Sequence, residues 1–230
     1  MSLDTEIVRT SFLIPVIDGL IYLGKRGTEP YKGQWSAIGG KVEKTGGPVL
    51  HDSPLTIEKR GGSTRISIFD ESAIADGREL WFNAAAREFW EEAFHGKPYP
   101  KPEDRVFTDV YKIGCVDDSY PEFPNKNYQG LFFLARVNRR DFSLSPRELC
   151  DFKPLEKLTC EDQIAQPTRF ALTQIYYLCE SGLIKGIRAP VYGDFNLDKQ
   201  IPIGLLKFDR YRFTDMPGAL VSMREQGIRF

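Results

Sequence analysis

Three glutamates, Glu88, Glu91 and Glu92, are the residues of this sequence whose types and spacing best suit chemistry. They stand at i, i+3 and i+4 within the stretch Leu80–Gly96, so a helix stacks their carboxylates on one face. Like charges at that spacing cost a helix roughly 0.2–0.5 kcal/mol per pair. A hard divalent cation such as Mg²⁺ or Mn²⁺ among the oxygens turns that cost into an attraction. Taken alone, such residues more often form a solvated acidic face. At about 100° per residue, Phe82, Ala86, Phe89 and Ala93 fall on the opposite side, where they can meet a core. Asn83 and the alanines that follow it mark the expected helix start and body.

Strands flank this helix. Ile7–Ile17 and Leu20–Leu23 read as a hairpin across Asp18-Gly19, and Trp35–Ile38 as a short strand running into Gly39-Gly40. Val106–Val116, Tyr128–Val137 and Leu149–Leu155 are further strands. Pro167 suits the first turn of a second helix that ends at Ser181-Gly182. Between Lys41 and Arg78 the texture changes to a mixed polar segment with one short strand pattern, Arg65–Phe69. The last stretch predicts short strands near Ile187–Val191 and Ile203–Phe208. This order gives an α+β fold, an α/β/α sandwich on a mixed sheet.

A length of 230 residues holds one ordinary domain plus an extension. With a net charge of −1, the chain carries no basic field for a nucleic-acid or membrane partner, although a small phosphorylated ligand needs only a local basic pocket. Cys115, Cys150, Cys160 and Cys179 are scattered, as expected of free thiols in a reducing compartment. With no signal-peptide pattern and no membrane-length apolar run, a cytoplasmic location is the expectation.

Gly39-Gly40-Lys41-Val42-Glu43, followed later by Arg87-Glu88-Phe89-Trp90-Glu91-Glu92, resembles the Nudix box, G-x5-E-x7-R-E-U-x-E-E-x-G-U, where U is a bulky aliphatic. Glu79 precedes Arg87 by the seven intervening residues the pattern asks for, and Phe89 takes the U position. Two departures stand out. Between Gly40 and Glu79 lie 38 residues where the pattern has five, an insertion of 33. Phe94 stands where the box has glycine, with Gly96 two positions later.

The resemblance implies a Nudix-type domain over residues 1–185, interrupted by an insertion at 41–78. Residues 186–230 are expected to form a β-rich extension, packed on the domain or at a homodimer interface. It implies hydrolysis of a nucleoside diphosphate linked to another moiety, a phosphoanhydride cleavage by metal-activated water with Mg²⁺ or Mn²⁺. Glu88, Glu91, Glu92 and the Gly39 carbonyl are the implied metal ligands, and Glu88 also serves as base or water-orienter. Arg87 holds a glutamate in place, Glu79 is an auxiliary acid, and Glu148 is the first choice for an acid outside the box, ahead of Glu161 and Asp162.

His51 and His95 are not read as ligands, Trp81 and Trp90 are read as packing residues, and Arg26 and Lys41 as surface charges in preference to phosphate contacts. Residues fifteen and sixteen past the box, which sort substrates in this family, are Val110 and Tyr111 when counted from His95, and fix no substrate. The alternative function is a non-catalytic Nudix-fold sensor that binds a nucleotide intact.

Overall fold

The computed structural model describes residues 6–43, 54–60, 63–70, 78–118, 125–159, 162–192, 201–202 and 212–213. In chain order the strands are β1 (Glu6–Ile17), β2 (Leu20–Arg26), β3 (Trp35–Ser36), β4 (Ile38–Lys41), β5 (Leu55–Arg60), β6 (Ser63–Ile68), β7 (Phe107–Asp118), β8 (Lys126–Val137) and β9 (Leu149–Pro154). Two-residue strands β10 (Val191–Tyr192), β11 (Ile201–Pro202) and β12 (Arg212–Phe213) follow. The helices are α1 (Trp81–Ala93) and α2 (Gln166–Glu180).

Period-two alternation along the central strands builds two layers of core. On β8, Leu131, Phe133, Ala135 and Val137 join the cluster under α1, while Phe132 and Leu134 join the cluster under α2. On β1, Leu13 and Ile17 take the first side and Ile14 and Val16 the second. Helices therefore cover both faces of the sheet, as the α/β/α reading requires. The sheet is mixed: β1 runs parallel to β8 from Glu6↔Lys126 to Val16↔Arg136 and antiparallel to β2 and β4, and β8 is antiparallel to β7. At the β1–β2 turn, Asp18 (φ 52°) and Gly19 (φ 78°) both occupy the left-handed region, which matches the twist of a two-residue hairpin.

The inserted segment adds its own hairpin to this sheet. β5 pairs with β6 over Leu55↔Ile68 to Arg60↔Ser63, and joins β7 in parallel at Leu55↔Tyr111. Phe69 packs against the first core, its ring centroid 6.4 Å from that of Phe133. Beyond α2, the chain forms β10 two residues long where Ile187–Val191 was expected, and β12 pairs with β7 at Phe213↔Val116. The whole of the expected strand Ile203–Phe208, together with Gly46-Gly47, His51 and Glu161, lies outside the described residues. Among the described residues no helix is long and apolar enough to cross a membrane.

Candidate active site

Helix α1 is set by what it buries. Phe82, Ala85, Ala86, Phe89 and Ala93 are wholly enclosed, and the Ser11 hydroxyl on β1 donates to the Trp81 carbonyl at 2.5 Å, tying the first turn to the sheet. The helix begins at Trp81, two residues before Asn83. Leu80 precedes it in extended conformation without a side-chain cap, and Asn83 is buried inside the first turn. Core packing, not capping, decides this terminus.

The C-terminal end explains the missing box glycine. Phe94 is fully buried and stacks on Trp90 with centroids 4.4 Å apart, and it also meets Phe89 edge-on at 5.8 Å. The left-handed residue is Gly96 (φ 78°), so the reversal comes two positions later than the pattern places it. His95 is exposed at this turn, and Trp90 and Trp81 are both buried packing residues.

The two halves of the box meet in space. The Glu79 amide donates to the Glu43 carbonyl at 3.3 Å, and the Glu43 amide donates to Glu79 Oε2 at 3.2 Å. Glu79 is 0% exposed. Arg87 fills its remaining acceptor capacity with Nε to Oε1 at 3.0 Å and Nη2 to Oε2 at 3.1 Å, a two-pronged charge-assisted pair. The same guanidinium donates to the Lys41 carbonyl (3.0 Å), to Glu88 Oε1 (2.9 Å) and to Glu91 Oε2 (3.3 Å). Arg87 thus pins together the strand before the insertion, the acid after it and two carboxylates of α1. Burial opposes its charge, but the bond to Glu79 and the charges of Glu88 and Glu79 outweigh this and raise its pKa.

The Glu88 carboxylate lies on Gly40, where a Cβ would come within 2.5 Å of its carboxyl carbon. Glycine is what allows this approach. Burial raises the Glu88 pKa; the charge and hydrogen bond of Arg87 pull against it, and the charges of Glu91 and Glu148 push it further up. Glu92 is 6% exposed and its pKa is pushed up to about 8, first by burial and then by the charges of Glu88, Glu148 and Glu91, with Arg26 opposing. Glu148 therefore acts electrostatically on both Glu88 and Glu92. It stands just before β9, accepting from the Ser145 hydroxyl at 3.2 Å while its carbonyl accepts from the Gly27 amide at 2.9 Å. Asp162 is engaged elsewhere, accepting from the Trp35 indole at 2.8 Å.

Among the described residues no group of three or more His, Cys, Asp or Glu side chains is placed so that it could hold a metal ion. Glu88 and Glu91 each present an oxygen to Arg87 instead. Their chemistry is nevertheless that of hard-cation ligands: Glu88, Glu91 and Glu92 on α1 and Glu148 just before β9 interact electrostatically, and burial and mutual repulsion raise the proton affinities of Glu88 and Glu92.

A cavity of about 330 Å³ opens beside this centre. Gly39, Gly40, Lys41 and Arg26 form its wall towards the carboxylates, and Phe12, Tyr31, Tyr128 and Phe132 supply aromatic surface. Phe12 and Phe132 stack at 4.8 Å with 21° between their planes. Gly130 helps to keep the space open, since a Cβ there would lie 3.1 Å from the Phe12 ring. Arg26 and Lys41 both line this cavity, Lys41 remaining exposed, and Arg26 Nε also donates to the Pro30 carbonyl at 3.0 Å. The aromatic wall follows no motif, but alternation carries the signal: Thr10 and Phe12 share a face of β1, and Tyr128, Gly130 and Phe132 share one of β8. Tyr111 is absent from the lining and packs against the second core.

Box residues separated by the insertion converge on one loop–helix corner of an α/β/α sandwich. The fold is an α+β sandwich with a mixed sheet between two helical layers. No family model and no curated protein sequence matches the chain. Solved structures similar to it include a MutT Nudix hydrolase from Burkholderia pseudomallei, at 18% identity and TM-score 0.45, covering 74% of this chain and 98% of that one. A Nudix hydrolase from Nitrosomonas europaea is similar at 17% identity and TM-score 0.42, covering 82% and 78%. A third is a bifunctional NMN adenylyltransferase/ADP ribose pyrophosphatase from Francisella tularensis, complexed with AMP and a Mn ion. It is 14% identical with TM-score 0.44, covering 77% of this chain and 42% of that one.

Proposed function

We propose that this chain hydrolyses a nucleoside diphosphate linked to another moiety, cleaving the phosphoanhydride in a Mg²⁺- or Mn²⁺-dependent reaction. The observation that carries this reading is the Glu88 carboxylate lying on Gly40 of the aromatic-lined cavity, with Glu91, Glu92 and Glu148 coupled to it electrostatically. Glu88, Glu91, Glu92 and the Gly39 carbonyl would hold the cation. When bound, the cation neutralises phosphate charge and polarises water.

The protein's own groups supply the rest. The cavity takes the nucleoside between apolar and aromatic walls, so the diphosphate lies along Gly39-Gly40-Lys41 towards the carboxylates. Arg26 and Lys41 offer positive charge on that path. Glu88, with its raised proton affinity, is suited to orient water and accept its proton, and Glu148, just before β9, acts on it electrostatically. Arg87 and Glu79 act through position, fixing Glu88 and Glu91 against the box loop.

The test is a panel of nucleoside diphosphate derivatives with Mg²⁺ or Mn²⁺, products being resolved by chromatography. The reading expects release of a nucleoside monophosphate or phosphate from at least one compound. Tight binding with every nucleotide recovered intact would favour the sensor instead.

A further inference from the structure

We propose that Tyr99, a residue outside the box, is a positioning residue that holds the Glu91 carboxylate ready for the divalent cation, an inference that rests on the metal-centre reading above. The Tyr99 hydroxyl donates to Glu91 Oε1. On the other side, Arg87 Nη1 donates to Glu91 Oε2 at 3.3 Å. Each oxygen thus has one donor, and the two together fix the plane of the carboxylate. Glu91 needs this more than its neighbours, because its side chain is 43% exposed against 19% for Glu88. A free glutamate side chain loses rotamer entropy when it is immobilised.

The chain delivers Tyr99 to this point on a stiff strap. Lys97 is anchored at the end of α1: its amide donates to the Phe94 carbonyl at 3.0 Å and its own carbonyl accepts from the Trp90 indole at 3.3 Å. Its ammonium bonds Asp141 Oδ2 at 2.6 Å. Pro98 and Pro100 bracket Tyr99, and Pro100 is buried. A proline fixes its own φ and restricts the residue before it, so the backbone of Tyr99 has little freedom between them. The ring therefore returns eight positions to the helix in a defined pose. A hydroxyl that hydrogen-bonds a metal-ligating carboxylate orients that ligand, and losing such a partner typically weakens metal binding by roughly 10- to 100-fold.

The test uses the full, metal-free chain and Mn²⁺ as probe, with free Mn²⁺ followed by electron paramagnetic resonance. Tyr99→Phe should weaken Mn²⁺ binding about tenfold or more, with the metal-free thermal midpoint unchanged. In a Glu91→Gln background, adding Tyr99→Phe should weaken binding no further. Wild-type affinity in Tyr99→Phe, or an equal further loss in the Glu91→Gln background, overturns the proposal while leaving the metal centre intact. A wild-type chain that binds no Mn²⁺ overturns both this inference and the function beneath it.

Discussion

Glu43 and Glu79, 36 positions apart in the sequence, exchange two hydrogen bonds, amide to carbonyl at 3.3 Å and amide to carboxylate at 3.2 Å. The insertion thus leaves and re-enters the chain at one point, and the box loop closes as though it were short. Replacing residues 44–78 by a linker of about five residues, within the common range of loop lengths, should therefore preserve hydrolysis. The thermal midpoint should fall, because Phe69 and the β5–β7 pairing go with the insertion. A folded variant without hydrolysis would place the insertion in the reaction itself.

Arg87 holds Glu79 where no water can replace it. Arg87→Ala leaves a fully enclosed carboxylate without its guanidinium, which should cost about 3 kcal/mol or more. Arg87→Lys keeps the charge but cannot span both Glu79 oxygens and the Lys41 carbonyl, so it should recover only part of that loss. Urea denaturation of the metal-free variants measures both. Equal stability of Arg87→Ala and wild type would mean that the clamp contributes nothing.

Two glycines separate position from stability. At Gly40 an added Cβ would meet the movable end of Glu88, so Gly40→Ala should leave stability nearly unchanged but displace the carboxylate. A misplacement of about 1 Å can lower the rate on the order of 100-fold. At Gly96 (φ 78°) there is open space but a left-handed backbone, so Gly96→Ala should cost about 1–2 kcal/mol and leave the rate alone. Chemical denaturation together with initial rates distinguishes the two, and a normal rate in Gly40→Ala would argue against Glu88 being placed by this contact.

Much of this was legible in the sequence, and the limits have physical causes. The carboxylate spacing, the apolar face of α1 and the alternation in β1 and β8 are local periodicities, and each appears where those periodicities place it. Asn83 was misread as a helix start because core burial of Trp81 and Phe82 outweighs capping preference at this end. The closure by Glu43 depends on a contact across the insertion, which no local pattern encodes. That Arg26 and Lys41 line a cavity was not legible locally, because the cavity is assembled from β1, β8 and α2, elements far apart in sequence.

The pH dependence follows from Glu92, whose proton affinity rises from an ordinary 4.5 to about 8 in the folded protein. The folded state then holds a proton that the unfolded state has released between those values. The associated stability is complete below about pH 4.5 and is lost as pH rises towards 8. Glu88, raised in the same direction, adds to this slope. Metal-free wild type should lose stability across this window, and Glu92→Gln should flatten the loss. Thermal melts in chelator at several pH values check it, and an unchanged slope in Glu92→Gln would contradict the assignment.

The most direct measurement is the hydrolysis rate of wild type, Glu88→Gln, Glu91→Gln and Glu92→Gln on the most active nucleotide, with saturating Mg²⁺ and then with chelator. The account predicts turnover by wild type only with the cation, and losses of about 100-fold or more in the variants, within the range for removing one electrostatic stabiliser, with fold intact by circular dichroism. Wild-type turnover that survives chelation, or variants that match wild type, would contradict it.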